Sequence, residues 1–531
     1  MTMFHAHFLK LLRLIILTVT VLVLPAQADQ EPIASPPAFS DLSPEQQRNI
    51  LHKIASPPVA QRDAPYSTPM YYLPYKGYQA GFGSMEPDQT GNFVLDRNRP
   101  EIQEQLLQDW VELGLTGTHF LVSRASWNNS HYRVAFRDYL DLSEKHGLRV
   151  SIRFGGLEGR APELHPDNLH NDIEGYMRWV REVVTTCSGR VWHYTFGDEF
   201  DNPAYRDSWP PATYLEVFKQ FAKAVRSVEP DATLGGQGLA GLNWAYAEEL
   251  FDLGYGKVAN GIGANFRDYP PEVFHEFVRR VKERAPHFGI YSNGHGWVAA
   301  KETPMYPASD QDPRWLFASE EDQAAIIAQR VFKLFDAGWN HTPYYITVRK
   351  WVLPDGSLAP TWYGAYGFQD LVMDDYGNMT IKRYPAWYAY QTIANIFWSQ
   401  SQTNLAPFKV KLSEPVDYQR AYVRNDTECL LVLWNNPPYQ ESDQEIAPQE
   451  RNPTSFVIPQ EKVPDLSKPE RITETKIDLP TQDYGFPVQI SLLSYRNLTD
   501  LPYQLTGDNR LVISNVRVGI APVIIRLVAV R

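Results

Sequence analysis

From residue 78 onward, short apolar runs with a two-residue period alternate with longer stretches whose apolar positions recur every three to four residues. The first kind predicts strands over 78–83, 116–122, 149–154, 190–196, 232–236, 261–266, 288–292 and 344–348. The second predicts helices over 101–113, 132–146, 172–186, 212–228, 244–252, 271–284 and 320–337, with a closing helix over 385–397. Each helix ends near a glycine that precedes the next strand. Eight strands alternating with helices predict a closed parallel (β/α)8 TIM barrel. An open doubly wound sheet would carry fewer units and a Gly-rich phosphate turn, which is missing here.

After about residue 402 the texture changes to short alternating runs at 418–423, 430–434, 488–493, 511–516 and 523–530, parted by Asn, Asp, Gly and Pro. These predict a C-terminal antiparallel β-sandwich domain. The stretch 436–480 is polar and Pro-rich and reads as a long loop or insertion. Residues 29–75, rich in Pro, Ser and Gln, read as a linker with one helix over 43–54. The expected order is therefore a leader over 1–28, a linker over 29–75, a barrel over 76–402 and a sandwich over 403–531.

The leader has the layout of a secretory signal peptide: Lys10 and Arg13 precede an apolar run over 14–24, and Ala26-Gln27-Ala28 supplies small residues for cleavage. Export to the periplasm or beyond is the expectation, with no membrane span in the mature chain; an uncleaved anchor is the alternative reading of the same run. The 531 residues hold 62 acidic and 50 basic side chains, a formal net charge of −12. With no basic stripe, the chain lacks the phosphate-neutralising surface of a nucleic-acid binder. Thirty tyrosines and 14 tryptophans offer faces on which sugar rings stack, although any one of them can equally fill a core. Cys187 and Cys429 fall in different predicted domains and read as separate buried thiols, with an interdomain disulfide in an oxidising compartment as the alternative. Neither has metal-ligand spacing, and no metal or cofactor is implied.

The chemistry gathers at the strand ends, where barrel enzymes keep their catalytic groups. Strand four runs Trp192-His193-Tyr194-Thr195-Phe196-Gly197 and closes on Asp198 and Glu199. Strand six closes on Asn265-Phe266-Arg267-Asp268-Tyr269, and strand eight on Arg349-Lys350-Trp351. Strand seven, within 287–297, contains no Asp or Glu.

In this layout the chain resembles the retaining glycoside hydrolases of clan A, and most of all the family 39 xylosidase-like group. The signature of that group is an Asn-Glu pair ending strand four and a Glu ending strand seven. The resemblance places Glu199 at the acid/base position, with Asp198 replacing the Asn, and places Gly294 where the nucleophile stands. It extends through 320–338, Tyr366-Gly367, Arg383 to Tyr388 and the terminal β-domain. It also sets Trp351 at the aromatic that floors the sugar subsite. Retention needs two carboxyls about 5–5.5 Å apart and inversion about 6.5–9.5 Å with water between, so a glycine serves neither. Asp198 adds a negative charge that favours a protonated Glu199, as suits a proton donor, or else it is a helix-cap or salt-bridge carboxylate.

Substitutes for the missing carboxylate are Glu86, Glu158, Asp268, Glu302 and Asp310. Asp268 is preferred because strand six neighbours strand seven, where a carboxylate could hold a water for inversion. Arg124, Arg153, Tyr269, Asn293, His295, Trp297 and Trp351 are the candidate sugar contacts, with Arg160 and Trp127 as further options. The arginines suit acidic sugars, though each could instead partner a barrel carboxylate. Three functions follow: a hydrolase of O-glycosidic bonds, a polysaccharide-binding barrel without turnover, or an assembly component of an envelope polysaccharide system.

Overall fold

A computed structural model describes residues 70–72 and most of 100–529, with Ser43 alone ahead of them; the chief stretches left out are 73–99, 155–168, 202–208, 295–318, 340–349 and 440–463. Seven parallel strands pair in chain order: β1 Met70–Tyr72, β2 Gly117–Val122, β3 Arg149–Phe154, β4 Val191–Phe196, β5 Leu234–Ala240, β6 Gly261–Asn265 and β7 Gly289–Gly294. All six residues of β3 and of β4 are buried, as a parallel sheet covered on both faces requires. The expected strands over 78–83 and 344–348, and the helix over 43–54, lie outside the described residues. The first position in the described sheet is held instead by Met70–Tyr72, inside the stretch read as linker, paired with His119, Phe120 and Leu121.

Among the described residues eight helices of nine residues or more accompany these strands: α1 Pro100–Leu113, α2 Ser130–Lys145, α3 Ile173–Cys187, α4 Pro211–Arg226, α5 Trp244–Asp252, α6 Pro271–Arg284, α7 Glu320–Ala337 and α8 Pro385–Ile393. In α3 the residues Tyr176, Val180, Val183, Val184 and Cys187 fall on one face and are buried, while Glu174, Arg178 and Glu182 are exposed. Helix α3 is followed by Gly189, left-handed at φ 75°, which any side chain would strain.

The helix ring closes on itself. Arg383, just ahead of α8, pairs with Asp109 at 2.7 Å and Glu112 at 2.5 Å on α1, and lies 3.9 Å over the Trp387 ring. Trp387 Nε1 donates to the other Asp109 oxygen at 3.1 Å. Burial pushes the Asp109 carboxyl up to about 6 against the pull of Arg383.

The remaining strands form two hairpins, β8 Lys350–Val352 with β9 Leu358–Pro360 and β10 Gln369–Met373 with β11 Met379–Arg383, and two larger antiparallel sheets. One has six strands in the order β12 Thr403–Leu405, β14 Tyr418–Arg424, β15 Glu428–Trp434, β21 Val523–Ala529, β17 Tyr484–Ser491 and β18 Ser494–Asp500. The other has four: β13 Lys411–Leu412, β16 Thr473–Pro480, β20 Arg510–Val518 and β19 Tyr503–Leu505. Cys429, Leu431 and Leu433 of β15 face the core between the sheets with Ile477, Leu479, Leu511 and Ile513. Their alternate neighbours Leu430, Val432 and Trp434 join the core of the barrel. Strand β15 is thus buried on both faces and bonds the domains. Gln329 of α7 adds a donor to the Ile520 carbonyl at 2.7 Å.

The stretch 436–480 is accordingly not all loop: Thr475, Ile477 and Leu479 are buried in alternation within β16. Its charged outward positions Glu474, Lys476 and Asp478 mask the pattern in sequence. Cys187 and Cys429 are both free and buried. Among the described residues no helix is long and apolar enough to cross a membrane. The architecture is a (β/α)8 barrel followed by a β-sandwich.

Candidate functional site

Inside the barrel, register sets which side chains share a face. Ser151 pairs with His193 and Arg153 with Thr195, so these four point together into the interior, while Phe154 packs outward on Trp179 and Phe221. Glycines in the neighbouring strands make room: a Cβ on Gly235 would lie 2.2 Å from the Tyr291 hydroxyl and 2.4 Å from His193 Nε2. Tyr291 donates to the Gly236 carbonyl at 3.0 Å. Burial first, and the nearby Arg149 charge second, bring His193 down to about 3. His193 is therefore neutral at ordinary pH and no proton donor.

Above this layer, β4 turns sharply. Gly197 donates to the Phe154 carbonyl at 3.2 Å and has φ 82°; a Cβ there would meet the Phe200 ring at 2.6 Å. Two residues later Glu199 is also left-handed, at φ 50°, and its N–H donates to the Gly238 carbonyl of β5 at 2.6 Å. Left-handed backbone at a non-glycine costs about 1–2 kcal/mol and persists only where the surroundings hold it.

Two anchors hold it here. Phe200 stacks on Trp209 at 4.5 Å with planes 6° apart. Asp201, 1% exposed, accepts from the Ala240 N–H and from Asn243 Nδ2, both at 2.9 Å. Asn243 in turn caps α5 by accepting from the Tyr246 N–H at 3.3 Å. The turn that carries Glu199 is thereby fastened to the end of β5 and the start of α5, with Glu199 itself half-buried. Asp201 and Asn243 were not among the expected site residues; the only signal in sequence is a third acid two positions beyond Glu199.

The other expected residues divide into three groups. Asp198, Asp268, His295 and Trp297, with Glu86, Glu158, Arg160, Glu302 and Asp310, lie outside the described residues. Asn293 is in β7, whose last residue, Gly294, pairs with Asn265 at the end of β6; Trp351 lies in a short hairpin strand, β8 Lys350–Val352, antiparallel to β9 Leu358–Pro360. The position matched to the nucleophile is thus the mouth end of β7, and a glycine fills it.

The third group has placed side chains. Arg124, in a one-turn helix after β2, pairs with Asp172 at 2.7 Å, and this hydrogen bond lowers the Asp172 carboxyl. Arg153 is fully buried, one residue before the end of β3. Two expectations need correction. Tyr269, 5% exposed, is a brace whose hydroxyl accepts from the Leu242 N–H at 3.3 Å, because its ring packs on Phe274. Trp127, 2% exposed, packs on Phe136 and donates to Glu182 at 2.9 Å, so no sugar ring can lie on it.

A cavity of about 610 Å³ opens elsewhere, between α6 and the sandwich, lined by His275, Arg279, Asp417 and Arg420 among others. Its charges are internally matched: His275 and Arg420 both reach Asp336, and Arg279 reaches Glu276.

No protein-family model matches the chain, and no curated protein matches its sequence. Solved structures do. A monomeric β-xylosidase from Caulobacter crescentus CB15 superposes with a TM-score of 0.51 at 15% identity, over 88% of this chain and 96% of that one. A family 51 α-L-arabinofuranosidase, AbfB from Bifidobacterium longum, superposes with a TM-score of 0.50 at 12% identity, over 87% and 96%. At such identities the likeness shows the fold alone: a (β/α)8 barrel with a β-sandwich, as in those two glycosidases.

Proposed function

We propose that the protein is an exported enzyme that hydrolyses O-glycosidic bonds in an oligo- or polysaccharide, with Glu199 as its proton donor. The observation that carries this reading is the left-handed Glu199 at the end of β4, clamped by its own N–H and by Asp201. Strain held at the mouth of a barrel, on an acid in the clan's acid/base position, fits a group kept for chemistry. In the reaction Glu199 gives its proton to the leaving glycosidic oxygen as the bond to the anomeric carbon breaks. With Gly294 ending β7, the attacking group is water, and Asp268 beyond β6 is the carboxylate to take its proton. Such a pair inverts the anomeric centre. Export rests on the leader over 1–28.

The test is reducing-end release by the purified protein on a panel of neutral and uronate-containing glycans, beside Glu199→Gln and Asp268→Asn. Turnover unchanged in Glu199→Gln would overturn the proposal. The glycine at the end of β7 favours a second reading, a barrel that holds a glycan without cleaving it. Saturable binding without new reducing ends across the panel would select it.

A further inference from the structure

The two sheets of the sandwich end on the same side. β18 is the last strand of the six-stranded sheet and β19 the last of the four-stranded one, with only Leu501 and Pro502 between them. β18 pairs along one edge with β17, Ile490 opposite Leu498 and Val488 opposite Asp500. Among the described residues no strand pairs with its other edge.

Edges of this kind are normally kept short or blocked by lysine or proline, since a row of free N–H and C=O groups recruits other strands. The opposite side of the sandwich follows that rule: β12 has three residues and β13 two. β18 has seven, Ser-Tyr-Arg-Asn-Leu-Thr-Asp, without lysine or proline, and its last five are all exposed. Apolar exposure gathers here too. Of eight exposed large apolar side chains among the described residues, Leu493 (39%), Leu498 (45%), Tyr503 (36%) and Leu505 (66%) fall within thirteen positions of one another. Helix α8 packs against β18, whose first two residues are half-buried; the exposed remainder, 496–500, is a long, partly apolar edge fitted to a partner.

The sequence of β18 indicates which partner. Arg496, Leu498 and Asp500 alternate onto one face. Antiparallel pairing of β18 with a second β18, centred on Leu498, sets Arg496 opposite Asp500 of the second copy, Asp500 opposite Arg496 and Leu498 opposite Leu498. Moving the two-fold centre by two residues toward either end sets Arg496 against Arg496 or Asp500 against Asp500, and moving it by one sets Arg496 or Asp500 against Leu498. Like charges directly opposite one another destabilise a strand pair, so only the Leu498-centred register satisfies both charges.

We infer that this edge is a self-association surface, on which a second copy of the chain docks by two-fold antiparallel pairing of β18. The interface is isologous, with Leu498 on the two-fold axis and two symmetric Arg496–Asp500 pairs beside it. Tyr503 and Leu505 of β19 flank it from the other sheet.

Sedimentation velocity of the purified protein over a wide concentration range, beside Arg496→Asp, Asp500→Arg and the double swap, tests this. A monomer–dimer equilibrium is expected for the natural chain. Each single reversal places two like-charge pairs in the interface and should weaken dimerisation by about tenfold or more. The double swap should restore it. These side chains are exposed, so unfolding midpoints taken at concentrations where the chain is monomeric should not move. A natural chain that stays monomeric at the highest concentration, a dimer indifferent to Arg496→Asp, or a double swap without rescue would each overturn the inference.

Discussion

Replacing Glu199 by alanine and by glycine in parallel isolates the strain at the candidate site from its chemistry. Both substitutions remove the carboxyl, and both leave the N–H bond to the Gly238 carbonyl in place. They differ in backbone tolerance at φ 50°. Alanine keeps the left-handed penalty of about 1–2 kcal/mol, while glycine escapes it but loses about 0.5–1 kcal/mol through the greater freedom of its unfolded chain. The glycine variant should therefore be the more stable of the two by roughly 0.5–1 kcal/mol. At Glu216, exposed within α4, the same pair should run the other way, with glycine about 1 kcal/mol worse. Urea midpoints of the four variants, followed by tryptophan fluorescence, give the comparison. If Glu199→Gly falls below Glu199→Ala by the margin seen at Glu216, the turn is unstrained and the structural argument for Glu199 fails.

Asp201→Ala leaves the half-buried Ala240 N–H without its acceptor and frees the turn; a loss of about 1–3 kcal/mol in urea unfolding is expected, together with loss of any turnover that depends on Glu199. His193 is held near 3 in the folded protein against about 6.5 unfolded, so the unfolded chain takes up the proton first as pH falls. Its contribution is fully present above 6.5 and is lost below it at about 1.4 kcal/mol per pH unit, so between pH 6.5 and 5 the natural chain should lose about 2 kcal/mol more than His193→Gln. Asp109, raised to about 6, has the opposite sign: its stabilisation is present below the unfolded value and fades as pH rises through 6. Arg383→Ala should consequently cost about 3–5 kcal/mol at pH 8, and clearly less at pH 5 where Asp109 can protonate.

The parts of the fold written locally were legible. Polar and apolar residues alternate along β3 and β4, although both faces are buried, because the inward face holds Ser151, Arg153, His193 and Thr195, and α3 announces itself by five buried positions on one face. What joins distant positions was not. The closure of the helix ring depends on Trp387 meeting Asp109, 278 residues away, and nothing near either residue signals the other. β16 was hidden for a different reason: its outward face carries Glu474, Lys476 and Asp478, so its average polarity is that of a loop although its period is that of a strand. At the site, the string ending on Glu199 could be read directly. The tie from Asp201 to Ala240 and Asn243 could not, since it spans about 40 residues and uses a backbone donor that every residue type but proline possesses.

The turn after β4 also shows what sequence economy would have preferred. Position 197 needs glycine twice over, for its φ of 82° and for the Phe200 ring beneath it, and glycine is what stands there. Position 199 has a similar backbone at φ 50°, and a turn whose only task was to reverse the chain would be served by a second glycine. A glutamate holds the position instead, and its neighbours are arranged to keep it there: Gly238 takes its N–H, Phe200 is locked on Trp209, and Asp201 fastens the far side of the turn. Strain retained on an ionisable side chain, with three separate restraints maintaining it, is poorly explained by folding alone. The proposed role of the Glu199 carboxyl as proton donor accounts for a side chain at a position where glycine would suffice.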